Sequence, residues 1–203
     1  MWSTDARILL RPASTLRSLA APPFPAGLRV ACRRPLFLTL VAASLVSLAA
    51  TGTLTARIAG PSLFVWVYLP AVEVLALYAV IRTRRTRIPF TRAVDLFFAG
   101  HAAWTLLLIV IAGLIALVPP AHWWMILTRV AMAGMAAVIV WSAFIDFCFF
   151  RYVYGASRAR AIRDVTFQRA ITWLVVFSIF AAPEVTPAGL AREISEAVAE
   201  VLR

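Results

Sequence analysis

Apolar residues dominate five stretches of the chain, roughly Pro35 to Ala56, Gly60 to Ile81, Arg92 to Val118, Trp123 to Phe150 and Ala170 to Val185, and polar residues collect between them. A stretch of ~20 apolar residues closes its backbone hydrogen bonds within one helix and crosses a hydrocarbon core of ~30 Å, whereas a shorter one reaches only into a soluble core. The pattern predicts an all-α fold, a polytopic transmembrane helical bundle of about five spans over residues 35–185. A tight loop around Arg57 makes the first two spans a hairpin, and Pro119-Pro120 stops the third. Trp123 and Trp124 at one end of the fourth span, and Tyr152 and Tyr154 at the other, stand where aromatic belts form. The fifth is the shortest, cut off by Pro183 and Glu184.

The two ends follow a different pattern. Arg7, Arg11, Pro12, Arg17, Pro22, Pro23 and Pro25 leave no apolar core of the kind a secretory signal needs, so residues 1–34 are expected to form a basic cytoplasmic amphipathic segment. Within it, Ser3-Thr4-Asp5 caps a short helix carrying Ile8 and Leu9. Pro12 begins a second helix with Leu16 and Leu19, and Pro22-Pro23-Phe24-Pro25 ends it. Helices of this kind suit the plane of the lipid headgroups. Past Val185, Thr186 and Pro187 start an amphipathic C-terminal helix over residues 186–203, with Leu190, Ile194, Val198 and Val201 on one face and Glu193, Glu196 and Glu200 on the other.

Composition agrees with a lipid environment: 63% hydrophobic residues, 14% charged and a mean hydropathy of +0.88 lie well outside the ~45–50% apolar content of soluble domains. All twenty basic residues are Arg, and Lys and Asn are absent, which points to GC-rich coding and a bacterial source. Six Arg precede the first span, five lie from Arg82 to Arg92 and five from Arg151 to Arg169, all on one side. The opposite side holds Arg57, Arg192 and Arg203. The positive-inside rule places the richer side in the cytoplasm, giving a bacterial inner-membrane protein with its N-terminus inside and, for five spans, its C-terminus outside. The net charge of +11 flanks hydrophobic spans, so its expected partners are anionic headgroups, met by Arg82, Arg84, Arg85 and Arg87, and not nucleic acid. Cys32 and Cys148 show no disulfide or metal-ligand spacing.

A charge at the centre of a span costs ~2.5–3.5 kcal/mol on insertion scales and needs a partner or a purpose. Glu73, Asp95, His101, Arg129 and Asp146 are the candidates. Glu73 lies nine residues before Arg82 and His101 nine after Arg92, which puts both at a depth of ~13 Å. They form a candidate intramembrane polar pair, either packing glue between helices or a proton relay, and Pro70 is expected to kink the second span beside them. Asp95 and Asp146 are placed to pair near the cytoplasmic surface with Arg92, Arg151 or the basic loop, and Arg129 to snorkel toward Glu184 or the outer headgroups. Two histidines, His101 and His122, are too few for haem or zinc, so no cofactor or metal is expected. An intramembrane enzyme using His101 with Asp95 is disfavoured, because six residues set them ~120° apart on a helix.

Ala133, Gly134 and Ala137 give the fourth span a small-residue face, with Met132 and Met135 as gap fillers, and Gly100 and Gly113 do the same for the third. Such faces serve helix packing within the chain or against another subunit. The pre-membrane pattern Ile8-Leu9-Leu10-Arg11-Pro12 with Leu16 and Leu19, followed by five spans, resembles the Yip-domain family of Rab-GTPase-interacting membrane proteins and their bacterial relatives. The Asp-Leu-Tyr-Gly-Pro type motif of the eukaryotic members is absent, and no functional residue is carried over. The resemblance implies an integral membrane protein acting as a scaffold or accessory factor. No recognised catalytic motif occurs, so the expected function is non-enzymatic: a scaffold or accessory subunit of a membrane complex. The alternative is a small transporter, channel or proton-linked protein working through Glu73 and His101.

Overall fold

A computed structural model describes residues 2–21, 27–82, 88–117 and 123–181. The described residues form helices and contain no strand: α1 (Trp2–Leu10), α2 (Pro12–Leu19), α3 (Leu28–Thr51), α4 (Ala56–Trp66), α5 (Tyr68–Ile81), α6 (Phe90–Ala99), α7 (Ala102–Leu117), α8 (Trp123–Cys148), a π-helical turn (Phe149–Val153) and α9 (Arg158–Ala181). Among the described residues, three helices are long and apolar enough to cross a membrane, Leu28–Thr51, the joined Ala56–Ile81 and Thr128–Val153; a fourth follows if the bent pair α6 and α7 is one span.

Helix α2 starts where its proline dictates, whereas α1 already begins at Trp2, so Ser3, Thr4 and Asp5, expected to cap it, lie within its first turns. Pro12 occupies the first helical position of α2, where its missing N–H is not needed, and the Thr15 hydroxyl donates back to the Arg7 carbonyl at 3.1 Å. Their apolar faces are not left for lipid headgroups, as the sequence suggested. Ile8 and Leu16 are fully buried, α1 lies against α6 and α7, and α2 lies against α8 and the π-helical turn. The Trp141 indole N–H of α8 donates to the Leu9 carbonyl at 3.0 Å, and the Arg17 guanidinium stands 4.7 Å above the Tyr152 ring. The bundle's own core outcompetes the headgroup plane for these side chains, because it removes them fully from water and polar lipid.

Helix α3 begins at Leu28, earlier than the expected Pro35, so Arg29, Arg33 and Arg34 belong to it and the boundary at residue 34 falls inside a continuous helix. Pro35 is carried within it, seven residues beyond the start. The helix ends at Gly52, whose φ of 70° lets its N–H close on the Leu48 carbonyl at 2.8 Å. The return to α4 is tied by Ser47, whose hydroxyl accepts from the Thr55 N–H at 2.8 Å. The second span is interrupted at Val67, between α4 and α5, where buried Pro70 cannot donate to the Trp66 carbonyl.

The expected third span is broken rather than continuous. Its halves α6 and α7 meet at 43°. At the elbow the N–H groups of Gly100 and His101 reach back only three residues, to Phe97 O at 3.0 Å and Phe98 O at 3.1 Å. Glycine is needed there: a Cβ at position 100 would lie 2.9 Å from Ile145 Cγ2 and 3.1 Å from the Phe97 carbonyl oxygen. The elbow can therefore press against α8. One helix pair away, Gly134 admits Leu107 in the same manner, whereas Ala133, Ala137 and Met132 face outward.

Helix α9 starts at Arg158, twelve residues before the expected fifth span, and carries Arg158, Arg160, Arg163, Asp164 and Arg169 in its first half. It lies along α5. Residues 182–185 of the expected fifth span and the C-terminal helix over 186–203 lie outside the described residues, as do His122, Glu184, Arg84, Arg85 and Arg87. The core is built from Leu77, Ile81, Leu96, Phe97, Phe98, Ile145, Phe149 and Phe150, all buried, while Phe64, Leu75, Leu106, Val140, Leu174 and Phe177 point outward, an apolar exterior suited to lipid.

Replacing Gly100 with Val should push Ile145 and the Phe97 carbonyl out of contact and cost about 1–3 kcal/mol, the usual penalty of overpacking. Thermal unfolding in mild detergent reads this, with Gly60→Ala as the control, because a Cβ at Gly60 meets nothing within 4 Å.

Candidate functional site

Five carboxylates lie among the described residues, and all five are turned inward: Asp5, Glu73, Asp95, Asp146 and Asp164. An ionised carboxylate cannot leave water without a positive partner. The partners therefore define the interior.

The first cluster joins α1, α3 and α6. Arg34, only 7% exposed, donates through Nε and Nη2 to Asp5 Oδ1 at 2.9 and 2.5 Å, and through Nη1 to Asp95 Oδ1 and to the Asp95 carbonyl oxygen, the latter at 3.2 Å. Arg92 Nη1 donates to the other oxygen, Asp95 Oδ2, at 2.7 Å, while half-exposed Arg33 stands 3.9 Å from Oδ1. The fork of a guanidinium is what allows one residue to hold carboxylates from two other helices. Asp95 thus has the Arg92 partner expected of it, and also one from α3.

The second cluster crosses α8 and α9. Asp146 Oδ2 accepts from Arg169 Nε at 3.1 Å and Nη2 at 2.7 Å, and the same Nη2 reaches the Ser142 hydroxyl at 2.8 Å. The expected partner Arg151 does not take part; its guanidinium turns to the Ala156 carbonyl, where the π-helical turn gives way to the loop before α9. Arg129 is exposed on the other half of α8. Arg82, also exposed, closes α5.

Between the two clusters lies the pair singled out in the sequence. His101 Nε2 is 3.0 Å from Glu73 Oε1, joining the α6–α7 elbow to α5, and both side chains are largely buried. The ring is held by Phe98, stacked at 4.8 Å, and by Phe97 at 5.1 Å, while Nδ1 makes a longer contact of 3.3 Å with the Phe97 carbonyl. The charge of Asp146 also acts on both residues. Glu73 Oε2 is buried without a hydrogen-bond partner among the described residues. One oxygen of the carboxyl is therefore engaged and the other idle. Pro70, one turn earlier on α5, is buried.

A cavity of about 20 Å³ separates the first cluster from this pair, lined by Asp5, Arg34, Phe98, His101, Ala102 and Thr105 among others. A void of that volume with polar walls has room for a water molecule. No group of three or more His, Cys, Asp or Glu arranged to hold a metal ion occurs among the described residues.

Sequence reasoning named Glu73, His101, Asp95 and Asp146 but passed over Asp5, Arg34 and Arg169. Asp5 carried a usable signal as the one acid before Glu73, set among six Arg. Arg34 and Arg169 were counted as surface charge because each adjoins an expected span boundary, which the real helices overrun. Comparison with protein-family models, curated proteins and solved structures finds no match to this chain.

Arg34→Met leaves two buried carboxylates short of their counter-charge and should destabilise the fold by about 3–5 kcal/mol, the range for breaking a buried pair. Arg33→Met, at a half-exposed position, should change stability by no more than about 0.5 kcal/mol. Reversible denaturant unfolding in detergent compares the two.

Proposed function

We propose that this chain is a non-enzymatic, multispanning protein of the bacterial inner membrane in which the Glu73–His101 pair takes up and releases a proton. The observation that carries the reading is the 3.0 Å contact between the imidazole and a carboxyl whose second oxygen has no described partner, set at a break between α6 and α7. Imidazole and carboxyl groups exchange protons readily, and histidine is the side chain that does so near neutral pH. A broken helix at that depth supplies backbone groups that a continuous helix withholds. In this reading α9 completes a fifth span, the N-terminus is cytoplasmic, and Arg82, Arg84, Arg85 and Arg87 face anionic headgroups.

A second reading, favoured by the inward pairing of all five described carboxylates, is a scaffold or accessory subunit in which Glu73 and His101 only join helices. The two part over a single substitution. With the chain in sealed vesicles holding a pH-sensitive dye, the proton-linked reading expects a proton flux under an imposed gradient that Glu73→Gln reduces at least tenfold, while Arg129→Gln leaves it intact. Flux that is absent from the native chain, or unchanged in Glu73→Gln, supports the accessory reading instead.

A further inference from the structure

The interior polar groups are not independent. Asp5 and Arg34 face His101 across the cavity, whose walls come from α1, α3 and the α6–α7 elbow. The α1 wall belongs to the N-terminal helices α1 and α2, which pack on the bundle, so the cavity lies between that helix pair and the bundle. Asp5, Arg34, His101 and Thr105 bring polar groups to its lining, while Phe37, Leu38, Phe98 and Ala102 make the larger part of it apolar. An apolar void of this size stays dry, whereas one bounded by a carboxylate, a guanidinium, an imidazole and a hydroxyl offers the two to four partners that a buried water needs.

We infer that this cavity is a water site that connects Asp5 to His101 and is the cytoplasmic access of protons to Glu73. The inference rests on the proton-linked reading above and adds to it an entry point and a residue, Asp5, that the reading alone does not require. Of the two imidazole nitrogens, Nε2 is committed to Glu73, and Nδ1 makes only the 3.3 Å contact with the Phe97 carbonyl, so Nδ1 is the one a cavity water can reach. The step balances without a co-reactant. With the ring carrying its proton on Nε2, a proton arriving from the cytoplasmic side is taken up transiently by the Arg34-bound Asp5 carboxyl and passed to the water, which passes one on to Nδ1 while Nε2 releases its own to Glu73 Oε1. The outcome is an ionised Asp5, an imidazole carrying its proton on Nδ1, and a neutral Glu73. The charged groups facing His101 from the surrounding helices are Glu73 on α5, Asp146 on α8, Arg34 on α3 and Asp5 on α1, with Arg169 behind Asp146.

Nitrogen-15 NMR of the full chain labelled at histidine reads the site directly in lipid nanodiscs, since the chain has two histidines and His122→Gln leaves His101 alone. Its observable is the proton-exchange rate of the His101 ring across pH 5 to 8. Two substitutions act on opposite sides of the cavity. Asp5→Asn keeps an oxygen for Arg34 but holds no exchangeable acid proton, and Ala102→Val puts two methyl groups into the void without touching the Asp5–Arg34 pair. The Trp141 indole proton, bonded to the Leu9 carbonyl, reports in each sample whether the hairpin stays docked. Both variants should slow exchange at His101 at least tenfold with the Trp141 signal in place. Should Asp5→Asn shift that signal, Ala102→Val decides by itself. Exchange as fast as the native rate in docked Ala102→Val overturns the access path and leaves the Glu73–His101 reading standing. A His101 that never titrates in the native chain overturns both.

Discussion

Arg34 is the residue around which the interior is arranged. A single guanidinium, sunk seven residues into α3, holds Asp5 of the N-terminal hairpin and Asp95 of the broken third span at once. The constraint behind it is general: in hydrocarbon a carboxylate is tolerated only with a cation at hydrogen-bonding distance, and a cation only with an anion. The chain has nine acids against twenty Arg, so partners are in excess, and the five described carboxylates all turn inward. This arrangement is asymmetric. The described acids are buried one by one, whereas Arg7, Arg11, Arg17, Arg158, Arg160 and Arg163 line the exterior. The ion pairs then select which helices meet: α1 and α6 on α3, and α9 on α8.

From that follows the position of the Glu73–His101 pair. It sits between two neutralised clusters and has no Arg of its own, so its net charge depends on whether a proton is present. Asp95 meets guanidinium groups on both of its oxygens, whereas Glu73 meets an imidazole on one and no described partner on the other, and the proposed proton exchange rests on that difference. The break at Gly100 and His101 adds the second requirement, a backbone elbow that turns the ring toward α5 while Phe97 and Phe98 hold its faces. Fixing the ring in this way removes rotamer freedom that proton exchange would otherwise have to pass through.

Much of this was legible in the chain, for reasons that can be named. The helical rise and the basic flanks are enough to set Glu73 and His101 level with each other, and the two side chains do meet, at 3.0 Å. Pro12 marked the start of α2 to the residue, because a proline is free of cost only at a helix's first turn. The helix break at His101 was hidden: Gly100 reads as a packing residue, and what makes it an elbow is the contact with Ile145, forty-five residues away. The docked hairpin was hidden for a similar reason. An amphipathic helix shows which face is buried but not by what, and Ile8 and Leu16 suit a headgroup layer as well as a protein core. Arg34 and Arg169 were missed because span ends read from hydropathy stop at the first charge, and real helices carry buried arginines past that point when an acid waits for them.

The claim on which the account depends is that Glu73 and His101 share a proton that comes and goes. Infrared difference spectroscopy of the chain in lipid bilayers, between pH 8 and pH 5, observes it without any flux assay. The account predicts that acidification produces a carboxylic C=O band together with a change in the imidazole ring modes, and that the band vanishes in Glu73→Gln and persists in Asp146→Asn. A difference spectrum with no carboxyl band assignable to Glu73 would contradict it, leaving the pair as a static link between helices.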